Sequence, residues 1–437
     1  MVSFLAAIPL NRIAFGAGLA FALASGAAVR ADPAPPVAIS AHVQITGRDT
    51  RLSFILQSCV PSEPYLLQNP SRAIVDLPEV NFQIDPAEGL SSAARRDKRQ
   101  EHASAETPSL IASYRFGRLA PGKSRIVVDL TGPAAIVSST CAAIPGAAEL
   151  TLVLTPSSEA AFKAAARAGA ARQARAEPAA PPPPAPASEK PVVVIDPGHG
   201  GVDTGALGRN HAIEKNVTLA FAKTLADKLR ASDRYRVVLT RDDDVFVPLG
   251  ERVRIARRLN AALFVSVHAD ALASNSAEVT CATVYTVSDR ASDAEAARIA
   301  EHENMADSAA GEEAKENAND VNDILFDLTR RETRAFSHVF ARSLTEYFKV
   351  AGRLNKNPRR SAGFVVLKAP DVPSVLLELG YLSNAADVAD LDSADWRDKE
   401  TSQVAKAIEA FFAQQKPETQ PAAAANAALK ATQTGGN

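Results

Sequence analysis

Aromatic side chains are scarce in this sequence, and neither sign of charge prevails. Phe, Trp and Tyr together make up 5% of the chain, and 48 Lys and Arg residues face 50 Asp and Glu residues, which gives a formal net charge of -2. Few aromatics argue against a stacking platform for single-stranded nucleic acid. Balanced charge provides no general field that attracts a polyanion. We therefore expect no nucleic acid partner.

Cysteine is also rare. The three cysteines, Cys59, Cys141 and Cys281, are too few and too scattered for a disulfide scaffold or a thiolate zinc cluster. A bridge between Cys59 and Cys141 would be compatible with export. Three buried thiols would be equally compatible with the sequence, which leaves both alternatives open.

After the N-terminus the sequence lacks any apolar run long enough to span a membrane. Residues 1–31 combine a short segment with one positive charge, an uncharged apolar run over 13–28 and a small-residue cleavage site before Asp32. The apolar run falls short of the ~20 residues of a spanning helix, which favours a cleaved signal peptide over a retained anchor. We expect a periplasmic protein with no membrane span once this signal is removed.

The 437 residues predict about two or three units including linkers. Residues 157–190 are rich in Ala, Pro and Arg, and they include four consecutive prolines, which is typical of an extended linker. Residues 416–437 lack apolar periodicity and are predicted to form a disordered tail. The folded parts are therefore expected over 37–156 and 191–415.

The first folded part shows an all-β pattern. Short apolar runs over 42–45, 51–56, 73–77, 125–130 and 149–154 alternate with turn residues. Residues 71–77 resemble residues 124–130, and this echo predicts a small β-sandwich of duplicated sheets. No cluster of His, acid and nucleophile occurs in this part of the sequence. We interpret it as a binding or targeting module, with a purely structural domain as the alternative.

The second folded part alternates strand and helix patterns and is expected to be an α/β domain. The predicted strands are 192–195, 236–239, 263–267 and 374–379, with helices that include 217–230 and 252–259. We expect a mostly parallel sheet flanked by helices. Ligands bind beyond the carboxyl ends of the strands in such sheets.

Those strand ends carry residues typical of a metal site. His199 follows the first predicted strand, His268 follows the third, Glu378 lies near the end of the last, and Glu214 starts a helix. Two His and one carboxylate are a common ligand set for a catalytic zinc with an open position. Taken singly, each His could be structural and Glu214 could be a favourable charge at a helix N-terminus. Their joint occurrence, with the carboxylate of Glu378 in an apolar strand, favours a site.

Residues 192–201, 252–270 and 376–384 closely resemble the zinc-dependent N-acetylmuramoyl-L-alanine amidases of bacterial cell division, and the resemblance covers essentially all of 191–415. Residues 71–77 and 124–130 resemble more loosely the AMIN-like, peptidoglycan-targeting β-domain that often precedes such catalytic domains.

The resemblance implies specific roles and partners. His199, Glu214 and His268 would be the ligands of Zn2+, and Glu378 would be the general base. The substrate would be peptidoglycan, cut between the lactyl group of N-acetylmuramic acid and L-alanine during septum splitting and daughter-cell separation. A LytM-type activator protein is also implied by this analogy.

Residues 288–334 form a polar, Ala- and Glu-rich stretch that predicts a helical insertion. In amidases that resemble this one, such a helix covers the zinc cleft until a partner displaces it. By analogy, we expect a carboxylate of the insertion to cap the zinc, with Glu303 the first candidate and Glu301 the second. The neighbouring His302 is interpreted as solvated or structural. A solvated amphipathic helix without a regulatory role is the alternative.

Two other functions compete with the amidase. One is a catalytically silent protein that localises a division complex, although all four expected active-site residues are present. The other is a zinc peptidase that cuts between amino acids of a peptide. Arg209 and His211, in the loop before Glu214, are candidates for substrate contacts.

Overall fold

The computed structural model describes residues 34–90, 109–175, 190–271, 280–312 and 324–415. The predicted signal peptide over 1–31 and the predicted tail over 416–437 lie outside the described residues, as does the Pro-rich part of the predicted linker over 176–189.

The N-terminal part of the described chain, here called the β-domain, is built from nine strands. They are β1 (Val37–Thr46), β2 (Asp49–Leu56), β3 (Glu63–Leu67), β4 (Arg72–Pro78), β5 (Asn81–Phe82), β6 (Ile111–Ala120), β7 (Lys123–Leu130), β8 (Ala134–Ile144) and β9 (Ala147–Pro156). They form one sheet in the order β5-β1-β2-β9-β8 and another in the order β3-β4-β7-β6.

Alternation of buried and exposed side chains sets the core of the β-domain. Along β9, every second residue from Ala148 to Leu154 is buried, because successive side chains of a strand point to opposite faces. These residues pack with Phe54, Phe116 and Val128 from other strands in one apolar cluster. The predicted β-sandwich is confirmed. A disulfide joins Cys59 and Cys141, and Cys281 is free and partly buried.

The sequence echo has a different origin from the one predicted. Strands β4 and β7, which contain the two similar segments, are antiparallel neighbours in one sheet, with Arg72 opposite Asp129. Both strands are buried on both faces, because one face covers the sandwich core and the other packs on the rest of the chain. Strands buried on both faces have near-continuous apolar runs. The echo therefore reflects a shared environment in one sheet.

The structure differs from the predicted linker over its first half, where it has a helix, α1 (Glu159–Arg175). Ala and Arg are strong helix formers, and this part of the sequence contains no proline. Phe162 and Ala166, one helical turn apart, pack into the core of the β-domain. The helix is thus part of the β-domain.

The C-terminal part of the described chain, here called the α/β domain, contains the strands β10 (Val192–Pro197), β11 (Arg236–Leu239), β12 (Leu263–His268), β13 (Ala282–Val287), β14 (Leu354–Ala362) and β15 (Ser374–Glu378). Its helices are α2 (Glu214–Ala231), α3 (Leu249–Arg258), α4 (Ala294–Glu303), α5 (Ala306–Ala309), α6 (Ile324–Phe348), α7 (Ala385–Asp392) and α8 (Ala394–Gln415).

The sheet of the α/β domain has the order β11-β10-β12-β15-β13-β14. Strands β11, β10, β12 and β15 are parallel, whereas β13 runs antiparallel to β15. Apolar clusters cover both faces of this sheet, with α2, α6 and α8 on one face and α3 and α4 on the other. The predicted α/β fold with a mostly parallel sheet is confirmed.

Strand register brings the predicted site residues together. Asp196 is opposite Ser266 and His268 is opposite Glu378, so the carboxyl ends of β10, β12 and β15 meet at one edge of the sheet. The predicted insertion over 288–334 contains α4 and α5, but its last residues belong to the core helix α6. None of the helices in the described part of the chain is both long and apolar enough to cross a membrane.

Candidate metal centre

Four buried side chains converge at this edge of the sheet. His199 lies just beyond β10, His268 ends β12, Glu214 begins α2 and Glu303 ends α4. All four are at most 5% exposed. Each offers one ligand atom, and the four atoms lie within 4.8 Å of one another.

The local backbone explains how His199 reaches the site. His199 itself has a φ of 58°, and Gly200 and Gly201 after it also have positive φ values, so the chain turns sharply after β10. Gly198 permits a close approach, because a Cβ atom there would lie 2.5 Å from Cε1 of His268. The glycines thus let the two imidazoles share one pocket.

The separations of the four ligand atoms fit a tetrahedral cation. Nε2 of His199 is 3.2 Å from Oε1 of Glu214 and 3.3 Å from Oε2 of Glu303. Nδ1 of His268 is 3.2 Å and 2.9 Å from the same two oxygens. Ligands at the usual Zn–N and Zn–O distances are about 3.3 Å apart in a tetrahedron. Three of the four separations match that spacing, and the fourth, between Glu303 and His268, is shorter at 2.9 Å.

Unsatisfied polar atoms at the centre also fit a cation. Nε2 of His199 and both carboxylate oxygens of Glu303 are buried, and within the described ranges of the chain none makes a hydrogen bond of normal geometry, although Nε2 and Oε2 have ionic contacts. Buried polar atoms without partners are costly, and a bound metal ion would satisfy them. The donor set of two imidazoles and two carboxylates is one that zinc accepts.

Further contacts orient the ligands from behind. Nδ1 of His199 lies 2.9 Å from Oδ2 of Asp203, which leaves Nε2 to face the centre. The carboxylate of Glu214 accepts hydrogen bonds from the backbone N–H groups of Ala206 and Ala269. These bonds leave the Glu214 side chain little freedom to rotate away.

Two buried arginines hold the loop that carries His199. Nη2 of Arg252 donates to the carbonyl of His199 at 2.8 Å, and its Nη1 donates to Asp196 at 2.8 Å. Nη2 of Arg241 donates to the carbonyl of Gly198 at 2.8 Å. The loop carbonyls next to the ligand are therefore fixed by charged donors, which make stronger hydrogen bonds than neutral ones.

Glu378 lies beside the four-residue cluster without belonging to it. Its Oε1 atom accepts a hydrogen bond from the backbone N–H of Asp270 at 2.5 Å. Its Oε2 atom is buried, and among the described residues it has no hydrogen-bond partner. One carboxylate oxygen is thus anchored and the other is available to a reacting group.

The cluster stabilises positive charge. Burial lowers the pKa of His268, but Glu303 and Glu214 outweigh this effect and raise that pKa to about 10. The pKa of His199 is raised well above its usual value in the same way, by Asp203, Glu214 and Glu303. Burial raises the pKa of Glu303, but His268 and His199 lower it to about 2. A site that stabilises protons on both imidazoles can stabilise a divalent cation in their place.

The environment of Glu378 favours the neutral form of its carboxyl group, whereas that of Glu303 favours the charged form. Burial raises the pKa of Glu378 well above its usual value, and the nearby carboxylates of Glu214 and Asp270 raise it further. A carboxyl group whose pKa is moved upward, toward neutral pH, is suited to accept a proton and return it.

Other residues considered in the sequence lie elsewhere. Glu301 is exposed and does not face the cluster, so Glu303 is the insertion carboxylate at the centre. His211 is mostly exposed and its Nδ1 atom lies 2.9 Å from Asp85 of the β-domain. The side chain of Arg209 is outside the described part of the structure.

His302, interpreted from the sequence as solvated or structural, is about half exposed and also lies at the edge of the site. Its side chain is 53% exposed, but Nδ1 lies 3.1 Å from the buried carboxylate of Asp270, and the two residues form a further group with Glu303. The cause is helical geometry, because His302 precedes Glu303 at the end of α4 and is carried to the rim of the site. Sequence reasoning also missed the supporting roles of Asp203, Asp270 and Arg252, for which spacing gave no signal.

A cleft of about 310 Å³ opens beside the centre, between the two domains. Its walls include Tyr114 and Arg115 of the β-domain and Gly205 and His302 of the α/β domain. A Cβ atom on Gly205 would lie 2.6 Å from Oε2 of Glu214, so the cleft reaches the backbone that borders this ligand.

Comparison with known proteins identifies one family. A family model described as N-acetylmuramoyl-L-alanine amidase matches residues 193–410. The N-acetylmuramoyl-L-alanine amidase AmiA of Escherichia coli is 40% identical over 224 residues, which cover 51% of this chain and 76% of that protein. The amidase AmiC of Neisseria meningitidis serogroup B is 31% identical over 414 residues, which cover 91% of this chain and 95% of that protein.

Among solved structures, the catalytic domain of CwlV, an N-acetylmuramoyl-L-alanine amidase from Bacillus (Paenibacillus) polymyxa var. colistinus, is similar to this chain. It has 29% sequence identity and a TM-score of 0.38, and the match covers 51% of this chain and 98% of that domain.

Proposed function

Because the chain belongs to the N-acetylmuramoyl-L-alanine amidase family, whose members act on peptidoglycan, we propose that it is a zinc-dependent amidase whose resting site is closed by Glu303. The bond cut joins the lactyl group of N-acetylmuramic acid to L-alanine. The observation that carries this proposal is the buried group of His199, Glu214, His268 and Glu303 beside Glu378.

His199, Glu214 and His268 are assigned as the residues that hold zinc in the working enzyme. Zinc in such a site polarises an amide carbonyl and lowers the pKa of water. Asp203 fixes the tautomer of His199, and the N–H groups of Ala206 and Ala269 fix the carboxylate of Glu214.

Glu378 is assigned as the general base. Its unpaired Oε2 atom accepts a proton from the attacking water as the water oxygen bonds to the amide carbon. The same carboxyl group then donates that proton to the amine nitrogen of L-alanine as the carbon–nitrogen bond breaks. The raised pKa of Glu378 supports both steps, because the protonated form is not strongly disfavoured.

Glu303 is assigned an inhibitory role. Zinc in catalytic sites has three protein ligands and an open position for water or substrate. A fourth protein ligand from α4 would fill that position, and the distances from Oε2 of Glu303 to both imidazoles support this assignment. Activity then requires that α4 move away.

The cellular role follows from the same premise. We place the protein in the periplasm after export, where it splits the septum and separates daughter cells, with its inhibition relieved by an activator of the LytM type. The β-domain is assigned as an AMIN-like domain that targets peptidoglycan. Relatives that match more than nine-tenths of this chain, and so include the β-domain, support this placement.

Mass spectrometry of the digestion products tests the proposal. Zinc-loaded Glu303→Ala protein is incubated with purified peptidoglycan, and the soluble products are analysed beside those of a Glu303→Ala/Glu378→Gln control. We expect stem peptides with a free L-alanine amino terminus from the first protein and none from the control. Products cut between amino acids would identify a peptidase instead. Absence of any release by the folded, zinc-loaded protein would favour a silent binding protein.

A further inference from the structure

The seven residues after the turn that follows α4 form a short segment whose last five residues bind directly to the β-domain. These residues, 306–312, are called the docking segment here; they comprise α5 and the three residues after it. The four backbone carbonyls from 308 to 311 all accept hydrogen bonds from side chains of the β-domain.

Arginines of three adjacent strands provide most of these donors. Arg72 on β4 donates to the carbonyl of residue 308 at 2.6 Å, and Arg115 on β6 donates to that of residue 309 at 3.1 Å. Arg125 on β7 donates to the carbonyls of residues 310 and 311 and forms an ion pair with Glu312 at 2.8 Å. The carbonyl of residue 308 also accepts a hydrogen bond from the backbone N–H of Gly311, and the charged donors give the carbonyls after it side-chain partners.

An apolar layer lies beneath these polar contacts. Ala310 is fully buried and packs in one apolar cluster with Leu67, Ile74 and Val127 of the β-domain. The same cluster also includes residues of the α/β domain. Gly311 has a φ of 72°, and a Cβ atom there would lie 2.6 Å from Cδ1 of Ile74. The docking segment therefore fits closely between the two domains.

A short, fixed connection joins the docking segment to Glu303. The side chain of Asn304 bonds with the backbone of Gly363 and Val365, and the backbone N–H of Met305 donates to the carbonyl of His302. Asp307 accepts a hydrogen bond from the backbone N–H of Leu249 at the start of α3. Movement of α4 away from the metal centre would thus strain or break the contacts of the docking segment.

We propose that the β-domain is an intramolecular receptor for the docking segment and that this binding holds Glu303 over the metal centre. The proposal rests on the closed resting site described under the proposed function and adds the contact that maintains it. The β-domain recognises backbone carbonyls in one conformation, so it binds the segment in its folded form. A protein that opens the site must overcome this contact or compete for it, because the bound form is the favoured population.

Hydrogen–deuterium exchange of α4 in the full chain tests the proposal. The hydrogen bonds described above join the β-domain to the docking segment and not to α4, so a change in α4 must be transmitted through that segment. Arg125→Ala removes the donor to residue 310 and one of the two donors to residue 311, and Lys123→Ala, an exposed residue on the same strand, is the matched control. We expect protection of residues 294–303 to fall about ten-fold or more in Arg125→Ala, which loses at least one charged hydrogen bond to the segment, and to be unchanged in the control. Basal amidase activity should rise by a similar factor.

Arg125 also forms an ion pair with Asp76 inside the β-domain, so Arg125→Ala could act by misfolding that domain. A second pair of variants distinguishes this effect from loss of the docking contact. Glu312→Ala and Gly311→Val change the docking segment alone, and each should loosen α4 in the same way. Unchanged protection of α4 in all three variants would overturn the proposal. If Glu303→Ala raises activity while Arg125→Ala and Glu312→Ala do not, the β-domain does not hold Glu303 in place. The proposal that Glu303 closes the site would then remain supported. If Glu303→Ala leaves activity unchanged, Glu303 does not inhibit the enzyme. The hydrogen–deuterium exchange of α4 then decides by itself whether the β-domain holds the docking segment.

Discussion

Oε2 of Glu303 lies 2.9 Å from Nδ1 of His268, although Glu303 belongs to a helix outside the sheet that carries His268. Two buried groups of opposite charge at this distance stabilise each other. The pKa of His268 is raised and that of Glu303 is lowered, so the charged form of each is favoured. The contact places the end of α4 against the candidate metal centre.

Replacement of Glu303 should activate the enzyme. Glu303→Ala removes the fourth candidate ligand and opens the position that substrate needs, so we expect basal release of stem peptides to increase by about ten-fold or more. The assay is dye release from labelled peptidoglycan without any activator. Glu301→Ala, an exposed carboxylate two residues away on the same helix, is the control and should behave as wild type.

Replacement of Glu378 should stop the chemistry without loss of the metal. Glu378→Gln keeps an oxygen that can accept the hydrogen bond from Asp270 but cannot take up a proton, so we expect the rate to fall by about 10²- to 10⁴-fold. The rate is best measured in the Glu303→Ala background, with bound zinc quantified by mass spectrometry of the dissolved metal. A variant that retains zinc and full activity would remove Glu378 from the mechanism.

Asp203 should tune the affinity for metal. Asp203→Asn weakens the contact that orients the imidazole of His199, and loss of such a partner typically lowers metal affinity by about 10- to 100-fold. Competition with a fluorescent zinc chelator measures this change. Asp242→Asn changes an exposed carboxylate on a nearby loop and should leave the affinity unaltered.

Glu400 should make stability depend on pH far from the metal centre. Its side chain is fully buried near Gly352 and Phe348, and within the described chain neither carboxylate oxygen has a hydrogen-bond partner. Burial raises the pKa of Glu400 to about 8. The neutral form is therefore favoured in the fold, whereas an unfolded chain ionises near pH 4.3.

The sign of the effect follows from these two values. The stability contributed by neutral Glu400 is fully present below about pH 4.3 and is lost as pH rises through about 8, with a total on the order of 5 kcal/mol. Denaturant unfolding at pH 5.5 and pH 8.5 should show that Glu400→Gln gains stability over wild type at the higher pH. Asp395→Asn, an exposed carboxylate on the same helix, should show no such gain. Equal differences at both pH values would contradict the assignment.

Four of the six strands of the α/β sheet, and the candidate ligands at their ends, could be predicted from the sequence because buried parallel strands carry β-branched runs, as β10 and β12 do. Strand β14 could not, since its residues are mostly polar and it lies at the edge of the sheet. Helix α1 was hidden by the neighbouring prolines, because composition over a long window outweighed the short apolar spacing of Phe162 and Ala166.

The supporting parts of the site were beyond sequence reasoning for a different reason. The role of Asp203 depends on the left-handed turn at His199, and the role of Arg252 depends on where α3 packs. The docking segment depends on three arginines from separate strands that only the fold brings together. Such relationships are set by tertiary contacts and leave no periodic pattern in the chain.

Anomalous scattering at the zinc edge from crystals of the full, zinc-loaded chain tests the central claim most directly. The account predicts one strong peak between the side chains of His199, Glu214, His268 and Glu303, with Oε2 of Glu303 as the fourth ligand. A peak at this position with water in place of Glu303, or a peak bound by other residues, would contradict it.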